Sequence, residues 1–315
     1  MSVRNSGRLI YVGSALALLL LIVAVSVYVA RRHAAVPAVQ QTLVPKVIGK
    51  DPLPANAQMA AAVKLGADIM NQTGKYAAPY VGNALSCSSC HINAGQQTGA
   101  YPLAGIAGLF PLYDGRGGQI IDLEQRLQSC FIRSENGTAP PLGSQELSAL
   151  TAYITWISDG QPVGQAPAWR SAEQIGPANR IAINKLQPAK GQQLFAATCA
   201  SCHGADGQGT TIAPPLWGPH SFNTGAGAAR VYSLANFIRY SMPQNAPGTL
   251  TDEQAQDLAA FIDGQRRPVY SGMAKDYPKG NIPVDAVYYS QRYPKNPLQT
   301  GTPGAQALLQ GVGGQ

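Results

Sequence analysis

Two short segments constrain this chain more than any other part of it: CSSCH at residues 87–91 and CASCH at residues 199–203. Cys87 and Cys90 are each offset by 112 positions from their counterparts, Cys199 and Cys202. Thiols at this spacing stand about one helical turn apart, so both can form thioethers to the vinyl groups of one haem. The adjacent imidazole, His91 or His203, is then aimed at the iron. Zinc shared between the two CxxC pairs is the competing chemistry, and it leaves the histidine after each pair without a role. Two covalently bound haem c groups are therefore expected, attached outside the cytoplasm.

The repeat extends beyond the motifs. His91 to Cys130 and His203 to Met242 are both 39 residues, the mark of an internal duplication. The expected fold class is all-α: two tandem class I-like cytochrome c domains, one haem each, behind an N-terminal transmembrane helix. Residues 56–160 make the first domain. A helical stretch begins near Gln58 and includes Leu65, Ile69 and Met70. Another starts from Ser144 as N-cap, carries Leu147, Leu150, Ile154 and Ile157 at helical spacing, and ends at Asp159-Gly160. Residues 161–187 contain three prolines and no sustained period, and read as a linker.

The second domain occupies residues 188–268. A short helix holding Gly191, Leu194 and Phe195 leads into CASCH, and a capping box from Thr251 to Gln254 opens a helix carrying Ala255, Leu258, Ala259 and Ile262. Residues 269–315, rich in Tyr, Pro and Gly, are too poor in apolar periodicity to fold alone. They are expected to lie over the domains or stay mobile.

Residues 1–33 contain an uncharged apolar run from Leu9 to Ala30. As a helix its length is about 33 Å, enough to cross a bilayer, and it exceeds the usual apolar region of a cleaved leader, about 7–15 residues. It reads as an uncleaved anchor holding the chain to the lipid bilayer through residues 9–30, with residues 34–55 as a tether; cleavage near Val36-Pro37-Ala38 is the alternative. Arg4, Arg8, Arg31 and Arg32 flank both ends, so the haems rather than the charges set the orientation: the domains face the periplasm. Those four arginines also account for much of the formal net charge of +7. No basic run is left elsewhere to bind nucleic acid.

Each iron needs a sixth ligand or an open position. At the second haem the candidates are Met242, Met273 and His220. Met242 sits in Ser241-Met242-Pro243 ahead of the last helix, whereas Met273 lies in the tail and His220 reads as a loop histidine. At the first haem no methionine lies between His91 and the closing helix. Cys130 stands at the equivalent spacing, the one cysteine outside the two motifs. Free cysteine is often a small buried hydrophobe, but in an oxidising compartment a lone thiol is a liability unless protected or used, and thiolate is a haem ligand. Iron ligation by Cys130 is the expectation.

The stretch PLYDGRGGQIIDLEQRLQSCFIRSENG (residues 111–137) with LSALTAYITWIS after it resembles the thiosulfate dehydrogenases, dihaem cytochromes c that join two thiosulfates into tetrathionate. PPLWGPHSFNTGAGAARVYSLANFIRYSMP (214–243) and IPVDAVYY (282–289) resemble them too, so the likeness extends over nearly all of residues 56–290. It implies that Cys130 is the distal ligand of the active-site haem and takes up sulfane sulfur, that Arg116 and Arg126 stand beside that haem, and that Met242 is the distal ligand of the electron-transfer haem. Ser134, Asn136 and Gly137 match the turn after the cysteine, which makes Ser134 and Asn136 pocket candidates; Glu135 replaces the family's usual methionine. Some relatives carry a lysine before the methionine, where this chain has Ser241.

The arginines have a physical task. Two dianions brought to about 5 Å repel by roughly 3 kcal/mol even in water, and guanidinium groups offset this while binding oxyanions in a planar fork. Two electrons leave per tetrathionate formed and each haem takes one, which gives the duplication a purpose. The resemblance thus implies a periplasmic enzyme that oxidises thiosulfate to tetrathionate, reversibly if the haem potentials allow, and passes electrons to an acceptor such as a cytochrome c. A dihaem electron-transfer cytochrome without its own substrate is the alternative, and it assigns no role to Cys130 or the arginines. A subunit of a sulfur-oxidising complex acting on a carrier protein is a third reading, which would need a partner.

Overall fold

The computed structural model describes residues 44–172 and 174–289, together with Ile22, Val23, Val25 and Ser26. These four residues are helical, and the three apolar ones are exposed. The remainder of the apolar run 9–30 lies outside the described residues, and among those that are described no helix is long and apolar enough to cross a membrane. The described residues from Val44 to Tyr289 belong to one compact unit.

The first domain is built on α1 (Ala57–Asn71), α2 (Leu123–Arg133) and α3 (Gln145–Ile157). Each begins with a side-chain cap: Asn56, Asp122 and Ser144 accept from the backbone N–H three residues on, which satisfies a donor that has no intrahelical partner. Asp122 and Gln125 complete a reciprocal capping box. Helices α1 and α3 cross at Gly66, where an added Cβ would lie 2.2 Å from the Ala149 carbonyl oxygen and 2.5 Å from the Tyr153 Cβ. Val63, Ile69, Leu147, Leu150, Tyr153 and Ile154 close the core around this crossing.

A two-stranded hairpin, β1 (Leu112–Asp114) and β2 (Gln119–Ile121), precedes α2 and adds a small antiparallel element to the mainly helical fold. The Asp114 carboxylate accepts from the backbone N–H of Arg116 and Gly117 and shapes the turn that presents Arg116.

The second domain repeats the plan with α4 (Pro188–Leu194), α5 (Val231–Ser241) and α6 (Asp252–Asp263). After α4 the chain stays helical through Phe195–Cys199, in a wider turn, and Ala200–His203, which carries CASCH out of the helix. Gly191 takes the part of Gly66: an added Cβ would lie 2.1 Å from the Asp257 carbonyl oxygen and 2.9 Å from the Phe261 Cβ. The capping box of Thr251 and Gln254 forms at the start of α6.

Within the stretch read as a linker, Ile175, Ile183 and Leu186 are buried in the second core. The segment lacks periodicity because side chains of α5 and α6 satisfy its backbone. Asn236 accepts from Ile175 N–H, Gln256 from Ile181 N–H, and Asp257 from Gln187 N–H.

The tail as far as Tyr289 lies over both domains. Asp285 accepts from Tyr232 N–H and pairs with Arg230 at 2.9 Å, capping the start of α5. Ile282, Ala286 and Tyr289 form a small core of their own with Tyr277.

Candidate haem sites

The first site is a cavity whose exposed walls are mainly apolar. Cys87, Cys90 and His91 line one part of it, and α2 lines another with Leu123, Arg126, Leu127, Cys130 and Phe131 and with its C-cap Ser134. Those α2 positions follow helical spacing, so one stripe of the helix faces the cavity. Met70, Leu150 and Ile154 supply apolar wall from the first domain. Phe222, Ala226 and Ala228 reach in from the second domain, so the cavity is built by both.

The His91 Nδ1 lies 2.5 Å from the Tyr101 carbonyl oxygen. A carbonyl can only accept, so Nδ1 carries the proton and Nε2 keeps its lone pair for a metal. Burial, against the upward pull of the Tyr101 carbonyl and with a smaller downward push from Arg126, brings the His91 imidazole down to about 4. At the second site His203 Nδ1 lies 2.8 Å from the Pro214 carbonyl oxygen, and burial likewise lowers its pKa. Both imidazoles are therefore neutral at pH 7, with a fixed tautomer that leaves Nε2 as a free donor.

None of the five cysteines is in a disulfide. Burial, with the charges of Glu135 and Cys130 adding to it, pushes the Cys90 thiol up to about 12. Glu135 is 3% exposed, one of its carboxyl oxygens has no hydrogen-bond partner, and burial raises it to about 7. An apolar cavity flanked by a CxxC pair, a histidine with a free Nε2 and a third thiol fits a covalently held haem. At the second site Cys199 and Met242 pack against the same core, and Met242 is the C-cap of α5. That donor set fits a second haem. Among the described residues no three His, Cys, Asp or Glu side chains converge as a metal cluster.

The structure separates the two arginines. Arg126 lines the cavity. Arg116 does not; its Nη1 donates to the Gly225 carbonyl at 2.6 Å and its Nε to Tyr277 Oη at 3.2 Å, one residue away from the cavity-lining Ala226. Ser134 is at the cavity wall, whereas Asn136, in the left-handed region at φ 47°, accepts from the Asn223 side chain. Asn136 joins the domains rather than the pocket surface. Gly137 allows the closest approach in this turn, since a Cβ there would lie 1.9 Å from the Tyr80 carbonyl oxygen. His220 is exposed and Met273 packs partly buried between the second core and the tail.

Sequence reasoning missed Arg133, which is 8% exposed. Its guanidinium stacks over Tyr270 with Cζ 4.1 Å from the ring centroid, and it pairs with Asp276 from the tail. A charged last turn ordinarily reads as a solvated helix end, and the partner lies 143 residues away. No local signal could have found it.

Residues 74–163 match the family model described as SoxA/TsdA, cytochrome c domain, and residues 186–262 match cytochrome C oxidase, cbb3-type, subunit III. A thiosulfate dehydrogenase of Stutzerimonas stutzeri is 40% identical over 222 residues, which cover 69% of this chain and 70% of that one. The chain belongs to the thiosulfate dehydrogenase family. The thiosulfate dehydrogenase of Thiomonas intermedia is 44% identical over 211 residues, covering 65% of this chain and 66% of its own length. The solved thiosulfate dehydrogenase TsdBA of Marichromatium purpuratum superposes with a TM-score of 0.65 at 34% identity; the match covers 71% of this chain and 49% of that longer one. Two cytochrome c domains in a thiosulfate dehydrogenase family member mean two covalently bound haem c groups.

Proposed function

We propose that this chain joins two thiosulfates into tetrathionate at the first site and passes the two electrons out through the second. The observation that carries the proposal is that Cys130, His91 and Arg126 line one cavity with the Cys87/Cys90 pair. Four relatives carry the name thiosulfate dehydrogenase, which supports the substrate. The haem ligands in this reading are His91 with Cys130, and His203 with Met242; Cys87, Cys90, Cys199 and Cys202 form the thioethers. When bound, each haem accepts one electron.

The chain's own residues do the rest. The Cys130 thiolate takes up the sulfane sulfur of one thiosulfate, giving a Cys–S–S–SO₃⁻ adduct with the loss of two electrons. The sulfane sulfur of a second thiosulfate attacks the outer sulfur, releasing tetrathionate and restoring the thiolate, with no further redox change. Arg126 offsets the repulsion of the incoming dianions. Arg116 fixes the 225–228 loop that closes the cavity. Water is kept from the adduct by the apolar walls, among them Phe131 and Phe222.

The domain limits that go with this reading are residues 56–160 and 188–268, with the 175–187 stretch packed on the second. Residues 1–33 anchor the chain to the periplasmic side of the cytoplasmic membrane, and the acceptor is an external cytochrome c. The length and lack of charge of the 9–30 run support the anchor, and the extracytoplasmic chemistry of haem attachment supports the side.

The test mixes purified holoprotein with thiosulfate and ferricyanide and measures tetrathionate. One tetrathionate per two ferricyanides reduced is expected. Cys130→Gly is expected to keep two haems, lose the thiolate signature of one and lose nearly all turnover. Wild-type turnover in that variant overturns the proposal.

A further inference from the structure

We propose that Tyr101 is a positioning residue that makes the first haem's potential depend on helix α5 of the second domain. The inference rests on His91 as an iron ligand. Three contacts of Tyr101 point in two directions. Its carbonyl holds His91 Nδ1 at 2.5 Å. Its ring stacks on Phe237 of α5, centroids 5.1 Å apart and planes at 18°. Its hydroxyl donates to the Ser233 carbonyl at 2.7 Å, also on α5.

The neighbouring backbone follows the same helix face. Gly99 runs so close to Tyr240 that an added Cβ would lie 2.9 Å from its Cβ. Ser233, Phe237 and Tyr240 are spaced by four and three residues, one stripe of α5, and Met242, two residues on, is its C-cap. The loop that fixes the first histidine is therefore laid along the helix that carries the second site's methionine.

Tyr101 itself stands at φ 47°, a backbone conformation that side-chain-bearing residues rarely adopt. The local chain does not favour it; the ring and hydroxyl contacts to α5 hold it there. A carbonyl on Nδ1–H gives the imidazole more donor strength, which favours the oxidised iron and lowers the potential. Loosening Tyr101 from α5 weakens that hydrogen bond and raises the potential of the first haem.

The experiment is a spectroelectrochemical titration of the holoprotein, with the two haems followed separately through the thiolate and methionine signatures. Tyr101→Ala is expected to raise the first midpoint by roughly 59 mV, a tenfold change in a one-electron equilibrium, and Tyr101→Phe by less than half as much. Phe237→Ala leaves every first-domain residue intact and is expected to shift the first haem in the same direction. It decides alone if Tyr101→Ala fails to assemble. An unshifted first haem in Phe237→Ala, or in an assembled Tyr101→Ala, with two haems bound, overturns the inference. A His91→Met variant separates the readings: if it leaves the spectrum of the first haem unchanged, His91 is not the ligand and the site assignment fails instead.

Discussion

Arg133 and Asp276 meet in a two-bonded pair, with Nη1 and Nη2 each 2.7 Å from one carboxylate oxygen and both residues buried. Tyr289 Oη also donates to Asp276, at 2.6 Å, and Arg116 Nε lies 4.0 Å from it. The last turn of α2, the turn after β1 and the tail thus share one acid. A planar fork on a carboxylate is a geometry lysine cannot reproduce. Asp276→Ala leaves a guanidinium buried without its counter-charge, a loss of about 3–5 kcal/mol. Denaturant titration of the holoprotein is expected to show that loss. Arg133→Lys is expected to be destabilising as well, by less. A wild-type midpoint in Asp276→Ala would mean the tail contributes nothing to holding the site.

The two helix crossings make a paired prediction. Replacing glycine by alanine inside a helix ordinarily stabilises by about 0.5–1 kcal/mol. At Gly66 and Gly191 the new methyl meets a backbone carbonyl at 2.2 and 2.1 Å, and backbone cannot step aside as a side chain can. Gly66→Ala and Gly191→Ala are each expected to destabilise, by roughly 1–3 kcal/mol, with partial loss of haem from the domain concerned. Thermal melts monitored at the haem bands check the sign.

These crossings also show what the sequence could and could not disclose. The CxxCH motifs, the Ser144 cap and the Thr251–Gln254 capping box act over a few residues and were legible. Helix α2 carries local marks, the Asp122–Gln125 capping box and Leu123, Leu127 and Phe131 at helical spacing, but nothing local discloses that Arg126 and Cys130 on the same stripe face a cofactor cavity instead of side chains. The 175–187 segment looked like linker since Asn236, Gln256 and Asp257 supply its hydrogen bonds from far along the chain. The same holds for the tail, where Asp285 caps a helix that begins 54 residues earlier. Spacing pointed to Cys130 and family resemblance to the arginines, but only geometry separates a cavity-lining Arg126 from a loop-fixing Arg116.

Acid stability follows from Asp252, at the first turn of α6. Arg239 Nε and Asn179 Nδ2 both donate to its carboxylate at 2.8 Å, and they hold it below the usual carboxylate range. A folded-state value below the unfolded one gives stability that is present above about pH 4 and lost as the pH falls further. The pair is partly solvated, so the contribution is about 0.2–1 kcal/mol. Asp252→Asn is expected to remove that amount at pH 7 and to flatten the fall below pH 4. Equal pH profiles for the two proteins would exclude the pair from acid unfolding.

The two arginines are expected to part company kinetically. Arg126 meets the cavity and its guanidinium makes no hydrogen bond among the described residues, so its removal is expected to leave the fold intact and take a cation from the incoming oxyanions. One set of charge-assisted hydrogen bonds is worth about 1.5–3 kcal/mol, which is roughly a 10- to 150-fold loss in kcat/KM for Arg126→Ala, with unchanged stability and two haems. Arg126→Lys restores the charge without the fork and is expected to recover part of the loss. Arg116 spends its donors on Gly225 and Tyr277, so Arg116→Ala releases the 225–228 wall and is expected to lower stability and turnover together. The measurement is steady-state thiosulfate kinetics beside denaturant titration for each variant. If Arg116→Ala loses activity at full stability while Arg126→Ala loses stability, the roles are reversed and the cavity wall has been assigned to the wrong arginine.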